Sequence, residues 1–349
     1  MKKFIIKFLL FSFPIIILYL FTLFFYSMNK GDLIRVGYVM NFGNYRSIFS
    51  EDFKQKHYYT QVANANLDTP KKYTILTIGD SFTAGKGFGY KNHLAQKPNI
   101  SVLHLDSFLF KNPIQTAYGI VNGDLLNTIK VDYVILQSVE RDIIYRSENL
   151  DINKKINIEI IKKLAINYKN RKIDSTKINK FSANRMIKFP IRNIGYFFDD
   201  NAFYSETYQV KTKEKLFSGK TNNLLFLTTD LINVKKNNNV NAISKLNDVF
   251  NDLSKRFSLR GIKLIVMPSA DKFDFYYDNI VENNKYKKPL FFDYFDTLPK
   301  NYFYINSKKV LKPYLKNKKD LYFYDDTHWS PISDKIIANE LYKIINNKQ

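Results

Sequence analysis

The chain has no cysteine, a single tryptophan and four histidines among its 349 residues. Without cysteine there is no disulfide, no metal thiolate and no thiol nucleophile, so packing must hold the fold and any metal or acid–base role falls to few side chains. Acidic residues are also scarce: 32 Asp and Glu stand against 54 Lys and Arg, a formal net charge of +22 at pH 7. Such a surplus draws anionic surroundings, whether lipid headgroups or acidic wall polymers. It does not point to nucleic acid, because the lysines are scattered among asparagines and no basic helix or nucleic-acid motif concentrates them.

Charge is missing altogether between Phe8 and Asn29. At 1.5 Å per residue this stretch makes roughly 33 Å of helix, enough to cross the hydrocarbon core of a bilayer. Lys2, Lys3 and Lys7 precede it, and Tyr26-Ser-Met-Asn-Lys30 offers no small-x-small cleavage site. An uncleaved, single-pass signal anchor is therefore expected, with the body on the periplasmic or extracellular side. Pro14 fits a membrane helix, where neighbouring groups can satisfy the freed carbonyl.

Apolar, β-branched runs predict strands at 73–78, 100–105, 131–137 and 262–267. Their near-continuous apolar character suits a parallel sheet covered on both faces. Between Ala242 and Phe257, apolar residues recur at helical spacing, and Gly261 follows just before the next strand; 333–345 repeats the amphipathic pattern. The fold class is thus α/β. The expected organisation is an anchor over 1–29, a polar tether over 30–72, and a domain over 73–349 that carries an insertion at about 143–235, rich in lysine, asparagine and aromatics. Exposed aromatics there would suit a glycan groove, although aromatic stripes are more often core.

Two short strings carry the chemistry. Gly79-Asp80-Ser81 follows the first core strand, which puts Ser81 at a strand's carboxyl end, where open α/β sheets hold their ligands. Asp325-Asp326-Thr327-His328-Trp329 places a histidine two and three positions after a carboxylate. A serine hydroxyl needs an imidazole to take its proton and a carboxylate to fix that imidazole's tautomer. Ser81, His328 and Asp325 or Asp326 supply these groups. Gly79 to Gly87 is not a phosphate-binding loop, because five residues rather than four separate Gly79 from Gly85, and glycine stands where Ser or Thr should meet magnesium. His57, His93 and His104 have no carboxylate at a telling distance, so neither a metal nor a cofactor is implied.

In these strings and their order the chain resembles the SGNH (GDSL-type) hydrolase superfamily. The resemblance implies a three-layer domain, a parallel sheet with flanking helices, and an oxyanion site with a glycine after the second core strand; Gly123 is the preferred position, with Gly119 behind it. The third block of that superfamily reads Gly-x-Asn-Asp, whereas here Ser138-Val139-Glu140-Arg141-Asp142 follows the strand. Arg141 stands in place of the asparagine, either to receive the oxyanion or as a structural ion-pair partner. Asp-Thr-His-Trp, Glu140-Arg141 and Pro268-Ser-Ala-Asp-Lys272 are similar to the branch of the alginate O-acetylation proteins and the membrane-anchored D-alanylation protein of Gram-positive walls. That branch places the acid two residues before the histidine, at Asp326; the usual hydrolase block places it at Asp325, which the block order favours. Lys272, at a strand end, is read as a solvated lysine.

The expected function is that of a membrane-anchored serine esterase or O-acyltransferase acting on acyl, above all acetyl, esters of a surface or exported polysaccharide through an acyl-serine. The expected partners are the acylated glycan, the membrane and, by analogy, a multispanning membrane O-acyltransferase. The competing class is a glycan-binding or assembly protein that keeps the fold without catalysis, supported by the missing asparagine.

Overall fold

The computed structural model describes residues 1–26, 31–40, 45–105, 111–174, 183–219 and 221–346. The apolar runs become strands: β1 (Thr60–Gln61), β2 (Lys71–Ile78), β3 (Val102–Leu105) and β4 (Ile129–Val139). A hairpin of β5 (Thr207–Lys211) and β6 (Asn223–Leu227) follows, then β7 (Lys263–Ser269) and β8 (Phe303–Tyr304). Six of them form one sheet in the order β1-β3-β2-β4-β7-β8, every pair parallel. Ile75, Leu76, Val134, Ile135, Leu264 and Ile265 are all buried at its centre. Burial on both faces explains why these strands lack polar alternation.

Register decides where the site lies. Ile78 pairs with Leu136, Leu136 with Val266 and Val139 with Ser269, so β2, β4 and β7 finish along one edge. Helix Pro113–Asn122 packs with helix Val240–Ser258, while Tyr90–Ala95 packs with Pro331–Asn346. The long helix Val240–Ser258 is capped by Asn239, which accepts from the Ala242 N–H, and buries Ile243, Leu246, Phe250, Leu253 and Phe257. Gly261, at φ 72°, makes the left-handed turn into β7 that other residues rarely adopt.

Two expectations are revised. Residues 30–72 are not a tether, since Leu33, Ile34, Phe49, Tyr59, Val62 and Leu67 are buried and β1 extends the sheet. Helix α2 (Asp32–Gly37) packs against the β5–β6 hairpin, which ties this segment to the inserted region. Within that region the aromatics divide: Phe189, Phe217 and Phe226 are core, whereas Phe197, Phe198, Phe203 and Tyr204 are exposed. Helix α1 (Lys2–Phe25) is long and apolar enough to cross a membrane, and Thr22 is its one buried residue.

Candidate active site

The turn after β2 is built by close approach. A Cβ on Gly79 would sit 2.1 Å from Thr83 Oγ1 and 2.7 Å from Gln137 Oε1, so only glycine fits. Asp80 then turns inward: Oδ1 accepts from the Phe82 N–H at 3.0 Å, and Oδ2 accepts from the Val139 N–H at 2.7 Å and from Arg146 at 2.5 Å. Burial opposes its charge, but Arg146 and these amides hold its carboxyl below the usual carboxylate range. Asp80 thereby locks the end of β2 to the end of β4. Ser81 is turned outward and exposed, and neither its Oγ nor its N–H has a partner among the described residues.

The histidine arrives on a tight loop closed by a bridge between Tyr322 and Trp329 and by the Phe323 N–H donating to the His328 carbonyl at 3.1 Å. His328 Nδ1 lies 2.5 Å from Asp326 Oδ1, which also accepts from the His328 N–H at 3.1 Å. The acid that meets the imidazole is therefore Asp326. Asp325, favoured by block order, points the other way: its Oδ2 accepts from the Gly31 N–H at 3.0 Å and from Arg46 Nε at 2.9 Å. The reason is geometric, because in this loop the residue two before the histidine shares its side while the third faces the protein.

His328 Nε2 is buried with no hydrogen-bond partner among the described residues, and the ring packs 4.9 Å from Phe82. Ser81, Phe82, Phe323, Asp326, His328 and Asp334 help to line one cavity of about 510 Å³. The two groups that had to meet, far apart in sequence, thus share one cavity at the carboxyl edge of the sheet. No hydrogen bond joins them here, a state common before a substrate tightens such a site.

Electrostatics follow from this packing. Burial works to lower the His328 pKa, but Asp326, through charge and hydrogen bond, and then Asp32 outweigh it and raise it above 6.5. Asp326 is correspondingly held low: burial opposes its charge, but the His328 pair and Arg46 overcome it. Asp334, whose Oδ1 accepts from the Tyr90 N–H at 2.9 Å, is pushed up to about 8 by burial.

Several positions escaped the sequence reading. Arg46 spans both aspartates, with Nη2 2.7 Å from Asp326, and lies 4.6 Å over the Phe323 ring. Asp32 accepts from the Thr327 N–H at 2.9 Å and from Thr327 Oγ1 at 2.7 Å, and its own N–H donates to Asp326 at 3.3 Å. Lys272 is fully buried rather than solvated, and donates to the carbonyls of Phe323, Tyr324 and Asp326 at 2.7, 2.8 and 3.2 Å. Burial pushes its ammonium down to about 7 against the pull of Asp325, Asp326 and other carboxylates. The Pro268–Lys272 string was the one available signal for Lys272; nothing local marks Arg46 or Asp32.

Residues 221–349 match a family described as an SGNH hydrolase-like domain of the acetyltransferase AlgX. The SGNH-like resemblance and its alginate O-acetylation branch are supported over that range, which contains the histidine loop, β7 and the closing helix. The match points to esterase or acyl-transfer chemistry for this SGNH-like domain. No curated protein and no solved structure matches the chain.

Of the expected oxyanion residues, Gly123 lies elsewhere and Arg141, whose charge still reaches His328, is engaged in an ion pair. Gly123 caps helix Pro113–Asn122 at the amino end of β4, opposite the site, where a Cβ would run into the Ile156 carbonyl at 2.1 Å and its own carbonyl accepts from Arg260. Gly119 lies within the same helix. The second core strand ends at Leu105, so the position that follows it falls in 106–110, outside the described residues. Arg141, 10% exposed in its side chain, is the structural partner of fully buried Asp230 at 3.1 Å. Among the described residues, Asp32, Asp326 and His328 bring potential metal-ligand atoms within 4.8 Å of one another. Those of Asp326 and His328 are already committed to each other, and Asp32 to Thr327, which suits an oriented imidazole better than a cation.

Proposed function

We propose that the protein is a membrane-anchored serine acyl-transfer enzyme, an esterase or O-acetyltransferase of surface or exported polysaccharide, in which Ser81 is the nucleophile, His328 the general base and Asp326 the orienting acid. The observation that carries this reading is the Asp326–His328 pair, with His328 and Ser81 among the residues that line one cavity.

In this mechanism Nε2 takes the Ser81 proton as Oγ bonds to the acyl carbon, and the resulting imidazolium returns that proton to the departing sugar oxygen. An incoming hydroxyl, from water or a second sugar, then gives its proton to Nε2 and attacks the acyl-serine; the acyl–Oγ bond breaks and the imidazolium returns that proton to Ser81 Oγ. Asp326 keeps Nδ1 protonated and stabilises the imidazolium. The Ser81 N–H is the available oxyanion donor, and Gly123, at the other end of the sheet, is not used. Helix α1 supports anchoring by its length and apolarity, and the positive net charge suits an anionic polymer or membrane surface.

The test is aryl acetate turnover by the purified protein, with and without Ser81→Ala. Loss of at least about a thousandfold in kcat is expected for removal of a triad member. Turnover unaffected by the substitution would sink the enzymatic reading and favour a glycan-binding protein of the same fold. Mass spectrometry of oligosaccharide acceptors separates transfer from hydrolysis.

A further inference from the structure

The surface beside the end of α1 is costly to expose and yet firmly built. Helix Ala183–Gly195 presents Ile187, Ile191 and Ile194 at i, i+4 and i+7, each more than half exposed, while Phe189 on its other side is buried. Phe197 and Phe198 continue the apolar stripe at 84% and 78% exposure. Just beyond, Ala202, Phe203 and Tyr204 occupy three successive left-handed positions, at φ 47°, 58° and 69°. None is glycine, so the conformation is unfavourable and needs support. Arg192 supplies it by donating to the carbonyls of Ala202 and Phe203, Asp199 accepts from the Phe203 N–H at 2.9 Å, and Asn201 accepts from the Tyr204 N–H at 3.2 Å. The outcome of this support is to hold the Phe203 and Tyr204 rings out in solvent, with Tyr204 90% exposed.

This face is continuous with the anchor. The Phe189 ring packs 5.7 Å from Phe21 and 5.5 Å from Tyr26, at the last turn of α1. Asn193 fastens the helix to the segment behind the anchor, donating to the Tyr38 carbonyl at 2.8 Å and accepting from the Met40 N–H at 2.7 Å. A helix mounted at that level lies where the span leaves the hydrocarbon. Between the two elements opens a cavity of about 380 Å³ lined by Tyr26, Arg35, Tyr38, Arg185, Lys188 and Arg192, with Glu206 its one carboxylate. Four basic side chains, Arg35, Arg185, Lys188 and Arg192, thus face one carboxylate in this lining.

We infer that the helix Ala183–Gly195, with the aromatic turn that follows it, is a second membrane contact, its apolar stripe seated at the bilayer interface and the basic cavity taking anionic phospholipid headgroups. An amphipathic helix with basic residues beside the stripe and aromatics at headgroup level has the composition such a contact requires. The inference rests on α1 being the anchor. Two attachments instead of one fix the tilt of the domain. Five residues separate Tyr26 from Asp32, at most roughly 20 Å of extended chain, and Asp32 touches the histidine loop. The site is thus kept near the membrane surface.

The full chain has no native cysteine, so single cysteines at Leu18, Ile194, Phe198 and Leu259 can each carry a nitroxide in nanodiscs of phosphatidylglycerol and phosphatidylcholine. All four positions are exposed, so labelling leaves the core closed. Labels at Leu18, Ile194 and Phe198 are expected to be more accessible to oxygen than to a water-soluble nickel chelate, and the label at Leu259, at the opposite end of the sheet, the reverse. Charge reversal by Arg35→Glu with Lys188→Glu is expected to move the Phe198 label toward water and leave the Leu18 label in lipid. A lipid signal at Leu18 with an aqueous one at Ile194 and Phe198 overturns the inference and leaves the anchor standing. Labels there shielded from both reagents overturn it in favour of a protein contact. An aqueous signal at Leu18 removes the anchor, and the second contact with it.

Discussion

Asp325 and Asp326 are chemically identical neighbours with different surroundings. One meets an arginine and a glycine amide, the other an arginine and an imidazole, so their removal should separate. Asp326→Asn is expected to lower kcat for aryl acetates by about 10³- to 10⁴-fold, because the amide stabilises the wrong tautomer and no imidazolium. Asp325→Asn should reduce kcat far less, and be read chiefly as a fall of several degrees in melting temperature as the Arg46 contact weakens. The elevated His328 pKa has two pH consequences of opposite direction. The charged pair with Asp326 adds stability fully present below pH 6.5 and lost as pH rises through the raised folded value. Catalysis needs the neutral imidazole, so the acidic limb of kcat/KM should have its midpoint above 6.5 and move down in Asp326→Asn, a shift that pH–rate profiles would reveal. Asp334 behaves as a carboxyl that keeps its proton to about pH 8 when folded. Its burial weakens the fold as pH rises from the unfolded carboxylate range through that value. Asp334→Asn should therefore raise the melting temperature most at pH 8 to 9, less at pH 5 and little near pH 3.5, and thermal scans at these pH values decide this.

The segment that follows α1 is the element that changes most between sequence and structure. Strands β2, β4 and β7 and the helix Val240–Ser258 were legible because their signal is periodic and local. Ser81, His328 and the pair of aspartates were legible because each stands in a short motif next to such an element. Residues 30–72 show no period, and what makes them structural is contact with partners about 280 to 295 positions away, as in Arg46 with Asp325 and Asp32 with Thr327. No local pattern reports that. Gly123 misled for a related reason: the glycine was assigned to a strand end by its order along the chain, and the helix Pro113–Asn122 carries it to the other end of the sheet. The long-range contacts of this segment carry their own expectation. Asp32→Ala and Arg46→Ala should each reduce kcat at least about tenfold with a smaller change in KM, since they loosen the histidine loop without touching the substrate. Equal loss in the Ser81-independent binding of a glycan, followed by calorimetry, would count against that positioning role.

Across the whole molecule the charge surplus acts at long range. Turnover of an acidic oligosaccharide should fall as ionic strength rises from about 0.05 to 0.5 M, while turnover of a neutral aryl acetate should hardly change, because screening removes steering and leaves the chemistry intact. A salt response equal for both substrates would show that the surplus has no role in capture.

The reach of those contacts also orders events during biosynthesis. Asp32 leaves the ribosome almost three hundred residues before Thr327, its hydrogen-bond partner. On a nascent chain Ser81 can fold onto its strand early, but His328, its proposed base, is not yet made. In the proposed mechanism, acyl transfer would have to wait until the histidine loop is made and closes on α2, so unfinished chains would be inert.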